Sequence, residues 1–115
     1  MCGHMRIGPN LFSIGQTVPV QTNDGPHAGP WKGFARVETI RERWGDSVKP
    51  AAIVADSYNE RGVEFSTHGQ AIHAAVVTRP IFRNEPGDVL LVTRKAQTPA
   101  EKSAHHRHPV LIPRR

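Results

Sequence analysis

The sequence predicts an all-β protein, either a small SH3-like barrel or a compact antiparallel sandwich of about five to seven short strands. Ten glycines and ten prolines in 115 residues favour frequent turns over long helices. Apolar and polar residues alternate in several short segments, and turn signals recur about every 8–12 residues. The single cysteine excludes a disulfide framework and a cysteine-based zinc site, so one modest hydrophobic core must hold the domain together.

The N-terminal part combines a short extended segment with a stretch rich in glycine and proline. Residues 1–4 are expected to be a cloning remnant, with Met5 as the natural start. Residues 17–21 predict a strand with two valines on one face, at a sheet edge or facing outward because its proline cannot donate a ladder hydrogen bond. Residues 23–30 predict a long loop, and loops of that length often carry function.

The next segment leaves strand and helix open. Residues 33–40 alternate imperfectly and favour a strand, followed by a turn or a single helical turn at 41–48. A helix over 37–45 competes, because the apolar residues recur there at helical spacing and Gly45 suits the position just after a helix.

The centre of the chain predicts an antiparallel meander of three strands and one buried strand after it. Turns at 59–62 and 68–70 join the meander strands. A helix over 69–79 competes because alanine is frequent there, although the β-branched residues at its end favour a strand. A Pro-Gly-Asp turn at 84–88 precedes the last strand, whose unbroken apolar run implies burial on both faces. The four predicted strands are 51–56, 63–67, 72–78 and 89–93.

Composition changes after this last strand. Residues 5–94 are predicted to form a single small β domain, and residues 95–115 a basic, largely flexible C-terminal arm rich in polar residues. Within the arm, residues 109–113 form an apolar patch between two prolines. This patch is expected to dock, either as a final edge strand or on a neighbouring subunit, because exposed consecutive aliphatic residues favour aggregation.

The charge of the chain is concentrated near its C-terminal end. The formal net charge is +5; residues 1–64 hold seven basic and seven acidic side chains, whereas residues 89–115 hold six basic and one acidic. Such asymmetry is typical of contact with an acidic partner, either nucleic acid or an acidic protein surface. The longest uncharged apolar run is about seven residues, which predicts no membrane partner. A cytoplasmic location is expected.

The sequence therefore favours a non-enzymatic binding module whose contact surfaces are the 23–33 loop and the basic arm. In the loop, Trp31 lies among glycines and prolines and beside Lys32, so it either lines a ligand surface or closes the open end of the barrel. The predicted contact residues are His27, Trp31, Lys32, Arg94, Lys95, Lys102, Arg107, Arg114 and Arg115.

Two alternatives belong to other functional classes. In the first, the protein is a structural or assembly module that forms a homo-oligomer by adding residues 109–113 to a neighbour's sheet. In the second, it is a small hydrolase or ligand binder. That reading uses the acid–base group His68 and His73 with Glu64 or Asp56.

No metal site and no cofactor are expected. The spacing of His105, His106 and His108 suits neither one helix face nor a rigid pair of strands, and no carboxylate adjoins them in the sequence.

Two local resemblances accompany these patterns. Residues 18–37, with alternating valines, loop glycines and a returning strand, resemble the KOW element of small nucleic-acid-binding barrels. Residues 86–112, with Pro-Gly-Asp before one strand and Pro-Val-Leu-Ile later, resemble the opening two strands of the small-barrel ribonuclease toxins. In that family these strands open the domain, and here His108 interrupts the Arg-Pro pair. Neither resemblance covers the whole chain, so no family is assigned.

Overall fold

A computed structural model describes residues 2–77 and 87–114. In these residues the chain is mostly extended, with two short α-helices and one turn of 3₁₀-helix, so the predicted all-β class is confirmed. The strands are β1 (Cys2–Ile7), β2 (Asn10–Ser13), β3 (Thr17–Thr22), β4 (Gly25–Arg36), β5 (Val48–Ile53), β6 (Ser57–Glu60), β7 (Val63–Ser66), β8 (Ala71–Val77), β9 (Asp88–Lys95), β10 (Arg107–Pro109) and β11 (Leu111–Ile112). The helices are α1 (Ile40–Trp44) and α2 (Pro99–Ala104), and the 3₁₀ turn is Gly45–Ser47.

The strands form two sheets. One has seven strands in the order β10-β9-β4-β3-β5-β8-β11, and β8 also pairs with β9. The five strands β9, β4, β3, β5 and β8 therefore hydrogen-bond in a closed ring. Their pairings are antiparallel except for β4 and β9, which run parallel. The second sheet has four strands in the order β2-β1-β6-β7.

The long loop predicted over 23–30 is wrong. Residues 25–30 are the first half of β4, a strand of 12 residues. β4 pairs with β3 across a two-residue turn, with Thr22 opposite Gly25. Gly25 has a φ of +115°, a left-handed backbone conformation that favours glycine. The prolines and glycines of this segment therefore belong to a hairpin rather than to a loop.

The predicted meander is correct in its strands and wrong in its connections. Along the sequence, β5, β7 and β8 overlap the three strands predicted for the meander. Thr78, at the end of the third predicted strand, lies outside the described residues. β5 pairs directly with β8, however, and the β6–β7 hairpin belongs to the four-stranded sheet. The last predicted strand is β9, while residues 84–86 of the turn before it lie outside the described residues.

The single helical turn predicted near 41–48 is present. β4 ends at Arg36, four residues earlier than the predicted strand, and α1 follows after a turn. Ile40 and Trp44 are four residues apart and pack from α1 against a small apolar cluster. This cluster, formed by Ala35, Val77 and Leu90, fixes α1 beside β4 and β9.

The flexible arm predicted over 95–115 is wrong for the residues described. Thr98 and Glu101 form a capping box that begins α2, with Pro99 in its first turn. β10 pairs with β9, and β11 pairs with β8 of the same chain. Most of the arm is therefore an ordered part of the domain, and its apolar patch docks on its own sheet.

The main core lies within the ring and beneath the four-stranded sheet. Its largest fully buried side chains include Trp31, Met5, Ile53, Ile72 and Leu91. Met5 belongs to β1, a strand that the sequence patterns did not predict and that also contains residues 2–4. Among the described residues, no helix is long and apolar enough to cross a membrane.

Candidate functional site

A cleft of about 350 Å³ lies between α1 and the start of β10, above the ends of β4 and β9. β4 and α1 supply one wall, and the segment between α2 and β10 supplies the other. The lining residues are Phe34, Ala35, Arg36, Thr39, Ile40, Arg43, Trp44, Glu60, Thr93, His105, His106 and Arg107.

A second depression of about 330 Å³ adjoins this cleft and shares three of its residues, Arg36, His106 and Arg107. Lys95 and Lys102 add two further cationic side chains to its walls. We call the cleft and the depression together the basic cleft. Its two parts form one continuous cationic surface because the shared residues line both.

The basic cleft contains four exposed cations. Arg36, Arg43, Lys95 and Lys102 are exposed, and none of them forms an ion pair within 4 Å among the described residues. The guanidinium of Arg43 lies 5.6 Å from the ring centre of Trp44, which is within cation–π distance. The cleft therefore presents exposed positive charge and an aromatic side chain. Arg36 acts on the nearby carboxylate of Glu38, whose pKa is lowered by the hydrogen bonds from Arg107 and also by the charge of Arg36.

Arg107 is the buried exception. Its guanidinium donates two hydrogen bonds to the carboxylate of Glu38, at 2.8 and 3.1 Å, and one to the carbonyl oxygen of Thr93 at 2.7 Å. The hydrogen bonds from Arg107 lower the pKa of Glu38, so this carboxyl stays ionised below its usual range. Arg107 is thus committed to holding β10 against β9 and the turn after β4.

Two histidines and one glutamate complete the walls. The rings of His105 and His106 are in contact, with centroids 4.2 Å apart and planes tilted by 30°. Nδ1 of His105 lies 3.0 Å from the backbone nitrogen and 3.2 Å from the backbone carbonyl oxygen of Arg107, so the backbone of β10 holds this ring atom. Burial lowers the pKa of His105, which favours the neutral ring. Burial raises the pKa of Glu60, because the charged carboxylate is less well solvated there.

The residues predicted in the 23–33 loop lie outside the basic cleft. Trp31 is fully buried, and its indole N–H donates to the carbonyl oxygen of Gly33 at 3.1 Å. His27 is half-buried on β4, and only Lys32 is exposed. None of the three lines the basic cleft. Trp31 is therefore a core residue rather than part of a ligand surface.

The predicted basic residues of the arm divide into two groups. Lys95, Lys102 and Arg107 line the basic cleft, whereas Arg94 and Arg114 serve the fold. Arg94 donates to both carboxylate oxygens of Glu101, at 2.9 and 2.8 Å.

Arg114 holds the end of the chain in place. Its guanidinium donates to the backbone carbonyl oxygens of Ala55 and Gln70 at 2.9 and 3.2 Å, and it lies 3.9 Å from the carboxylate of Asp56. Arg115 lies outside the described residues.

The acid–base group proposed from the sequence is spread over several surfaces. His73 lines a groove beside the 3₁₀ turn, and its Nδ1 has no hydrogen-bond partner among the described residues. Glu64 accepts a hydrogen bond from Ser57 at 2.6 Å on the other sheet, and Asp56 accepts one from the backbone N–H of Gly8 at 2.9 Å. His68 lies in an exposed turn with a φ of +52°. No cavity described here is lined by two of these four side chains.

The histidine cluster is also divided. His108 is fully buried and packs against the aromatic rings of Tyr58 and Phe65, apart from the His105–His106 pair. Within residues 2–77 and 87–114, no group of three His, Cys, Asp or Glu side chains is arranged to hold a metal ion.

Sequence reasoning missed the α1 side of the site. Arg36, Arg43 and Trp44 were not predicted as contact residues, and His105 and His106 were considered only as metal ligands. A local signal was present, since the nine residues 36–44 contain three arginines and a tryptophan: Arg36, Arg41, Arg43 and Trp44. Nothing in the sequence placed them opposite Lys95 and Lys102.

Comparison of the chain with protein-family models, curated proteins and solved structures finds no match. The functional conclusion therefore depends on the geometry and charge of the basic cleft.

Proposed function

We propose that this protein is a non-enzymatic module that binds nucleic acid through the basic cleft. One observation carries the proposal: four exposed cations, none of which forms an ion pair within 4 Å in residues 2–77 and 87–114, surround two adjoining cavities that share a wall. These cations are Arg36, Arg43, Lys95 and Lys102.

The form of the charge favours a polymer of phosphates over a single small anion. Arg43 lines only the cleft and Lys95 and Lys102 line only the adjoining depression, while Arg36 lines both. An extended ligand with regularly spaced negative charges can contact all four side chains at once. Each cation that neutralises a phosphate releases bound counterions, which makes the affinity dependent on salt.

The arrangement supports nucleic acid, one of the partners predicted from the sequence, but it does so through a different contact surface. Three of the arm residues named from the sequence, Lys95, Lys102 and Arg107, remain part of it. The 23–33 segment is replaced by α1 and the end of β4, since Trp31 is buried.

Fluorescence anisotropy with labelled oligonucleotides tests the proposal. We expect binding at about 50 mM salt that weakens steeply by about 200 mM. Arg43→Gln and Lys102→Gln should each weaken binding and reduce the slope of log affinity against log salt by about one. Lys49→Gln is the matched control: it removes the same charge from an exposed lysine that is paired with Asp24 and lies outside the basic cleft.

Two outcomes contradict the proposal. The first is an affinity no tighter than about millimolar at 50 mM salt for single-stranded and duplex oligonucleotides alike, since even non-specific binders are tighter than this. The second is an equal loss in Lys49→Gln and Arg43→Gln, which would assign the binding to net charge rather than to this surface. Lys32→Gln tests the surface predicted from the sequence in the same assay.

We also propose that the ring of five strands is a barrel rather than a sandwich. The closed set of pairings supports this form, because a sandwich of two sheets leaves edge strands unpaired. The SH3-like assignment stays a prediction.

A further inference from the structure

We infer that the cleft takes an unpaired nucleotide, so that the module prefers single-stranded to duplex nucleic acid. This inference rests on the proposed function and names the form of nucleic acid that the same site recognises. It is carried by three features of the cleft: its size, its aromatic lining and its neutral hydrogen-bonding groups.

The volume favours one nucleotide unit over a duplex. At about 350 Å³, the cleft is at the small end of the range for ligand pockets, about 300–1,000 Å³. Bases in a duplex are stacked and paired inside the helix and cannot enter such a space without being flipped out. An unpaired base of a single strand can enter at little cost.

The lining suits the flat face of a base. Trp44 and Phe34 are half-buried and line the same cleft, and the guanidinium of Arg43 lies over the indole of Trp44. Aromatic side chains combined with a cationic groove are the usual means by which proteins hold single strands without sequence preference.

The polar groups of the cleft suit the edge of a base. Nδ1 of His105 is within hydrogen-bond distance of the backbone of Arg107, so Nε2 is the ring nitrogen left to face a ligand, as a donor or an acceptor according to the tautomer. The described residues give this nitrogen no hydrogen-bond partner, although His105 lines the cleft. Thr39, which carries a hydroxyl group, lines the same space.

The adjoining depression continues the path of the strand. Arg36 and His106 line both cavities, and Lys95 and Lys102 lie beyond them. A base in the cleft would therefore place the next phosphates of the strand against the two lysines.

An abasic strand gives the decisive comparison. A thymidine oligonucleotide of about twelve nucleotides, an abasic oligomer with the same phosphates and a hairpin duplex are titrated under identical salt conditions. We expect the thymidine strand to bind about tenfold more tightly than the abasic strand, and more tightly than the duplex. Because Trp31 is fully buried, acrylamide quenching of tryptophan fluorescence reports on Trp44. Only the thymidine strand should protect Trp44 from the quencher.

Variants separate stacking from charge. Trp44→Leu should weaken binding of the thymidine strand about tenfold while leaving the abasic strand and the salt slope unchanged. Arg43→Gln should lower the salt slope for both strands. If Trp44→Leu does not fold, the quenching of the wild-type protein still decides the question.

The two proposals fail in different ways. Equal binding of the thymidine and abasic strands, or tighter binding of the duplex, overturns the unpaired-nucleotide inference and leaves nucleic-acid binding standing. Absence of binding to all three ligands overturns the proposed function itself.

Discussion

The hydroxyl of Tyr58 lies 3.1 Å from Nδ1 of His108, and this contact joins the two sheets through their interior. His108 is fully buried, and its Nε2 lies 2.9 Å from the backbone carbonyl oxygen of Glu101. A carbonyl oxygen can only accept, so Nε2 carries the proton and Nδ1 accepts from the tyrosine hydroxyl. The histidine therefore links β6, α2 and β10.

Tyr58→Phe is expected to lower the free energy of unfolding by about 1–2 kcal/mol, because it leaves a buried imidazole nitrogen without this donor. Urea denaturation followed by circular dichroism measures the change. Thr17→Val, which removes an exposed hydroxyl with little change of shape, is the control and should change stability by less than about 0.5 kcal/mol. A Tyr58→Phe variant as stable as the wild type would mean that the contact does not hold the sheets together.

The ion pair between Glu101 and Arg94 is expected to make the stability of the fold sensitive to acid. Hydrogen bonds from Arg94, aided by backbone N–H groups at the start of α2, lower the pKa of Glu101 from 4.5 to about 2. The folded state therefore gains stability at pH values above 4.5 and loses it as the pH falls from 4.5 towards 2. A pKa that falls from 4.5 to about 2 corresponds to about 3 kcal/mol of unfolding free energy. The side chain of Glu101 is only 13% exposed, so solvent screens this interaction little.

Glu101→Gln should therefore lower the free energy of unfolding at pH 7 and reduce the further loss of stability between pH 4.5 and 2. Urea denaturation at several pH values between about 2 and 7 measures both effects. Glu42→Gln, at an exposed glutamate of α1 with no ion pair among the described residues, is the matched control. An acid limb that is unchanged in Glu101→Gln would place the sensitivity in another group.

Two glycines of β4 give a matched pair of predictions. A side chain at Gly29 would collide with the carbonyl oxygen of Gly87, whereas the nearest atom to one at Gly33 is 3.9 Å away. Gly29→Ala is expected to cost about 1–3 kcal/mol, because backbone must move to admit the methyl group. Gly33→Ala should cost clearly less, and thermal unfolding of the two variants side by side checks the difference. Equal stability would argue against the close approach of β4 and Gly87.

Limited proteolysis tests the ordered arm. Trypsin should cleave slowly after Lys95 and Arg107, because both belong to strands and Arg107 is buried. Digestion in urea that unfolds the protein is the control and should release these fragments at once. Rapid release of residues 96–115 from an otherwise intact chain would restore the flexible arm predicted from composition. Mass spectrometry of the digest distinguishes the two outcomes.

The central strands could be predicted from the sequence because their signal is local. β8 and β9 are buried on most positions and appear as nearly continuous apolar runs. β7 alternates apolar and polar residues between two tight turns, although only Phe65 of this strand is partly buried. A buried strand position needs an apolar residue, so the sequence of a buried strand shows directly which positions are buried.

The predictions for residues 23–30 and for the C-terminal arm are wrong because local composition and tertiary pairing favour different structures there. The glycines and prolines of 23–30 are typical of a loop, but pairing with β3 overrides that tendency. The Asn-Asp-Gly turn was the available sign of a hairpin. In the arm, Thr98 and Glu101 are spaced as a capping box, with Pro99 at the first helical position, and this signal predicts α2 against the polar composition.

The basic cleft could be predicted only in part. The excess of positive charge in the arm indicates Lys95 and Lys102, but Arg36 and Arg43 lie in a half of the chain whose charges balance. The parallel pairing of β4 and β9 brings these residues together, with Arg36 opposite Thr93. A pairing between distant segments leaves no periodic trace in either one.

That same pairing sets an expectation for how the chain reaches its native state. Residues 31–36 must find residues 89–93, so a large loop has to close before the hydrogen bonds between them form. Chains dominated by such distant contacts fold in milliseconds to seconds, far more slowly than helical bundles of equal length. The surface that gathers the arginines and lysines is therefore among the last regions to be completed, and substitutions there should alter the rate of unfolding more than the rate of folding.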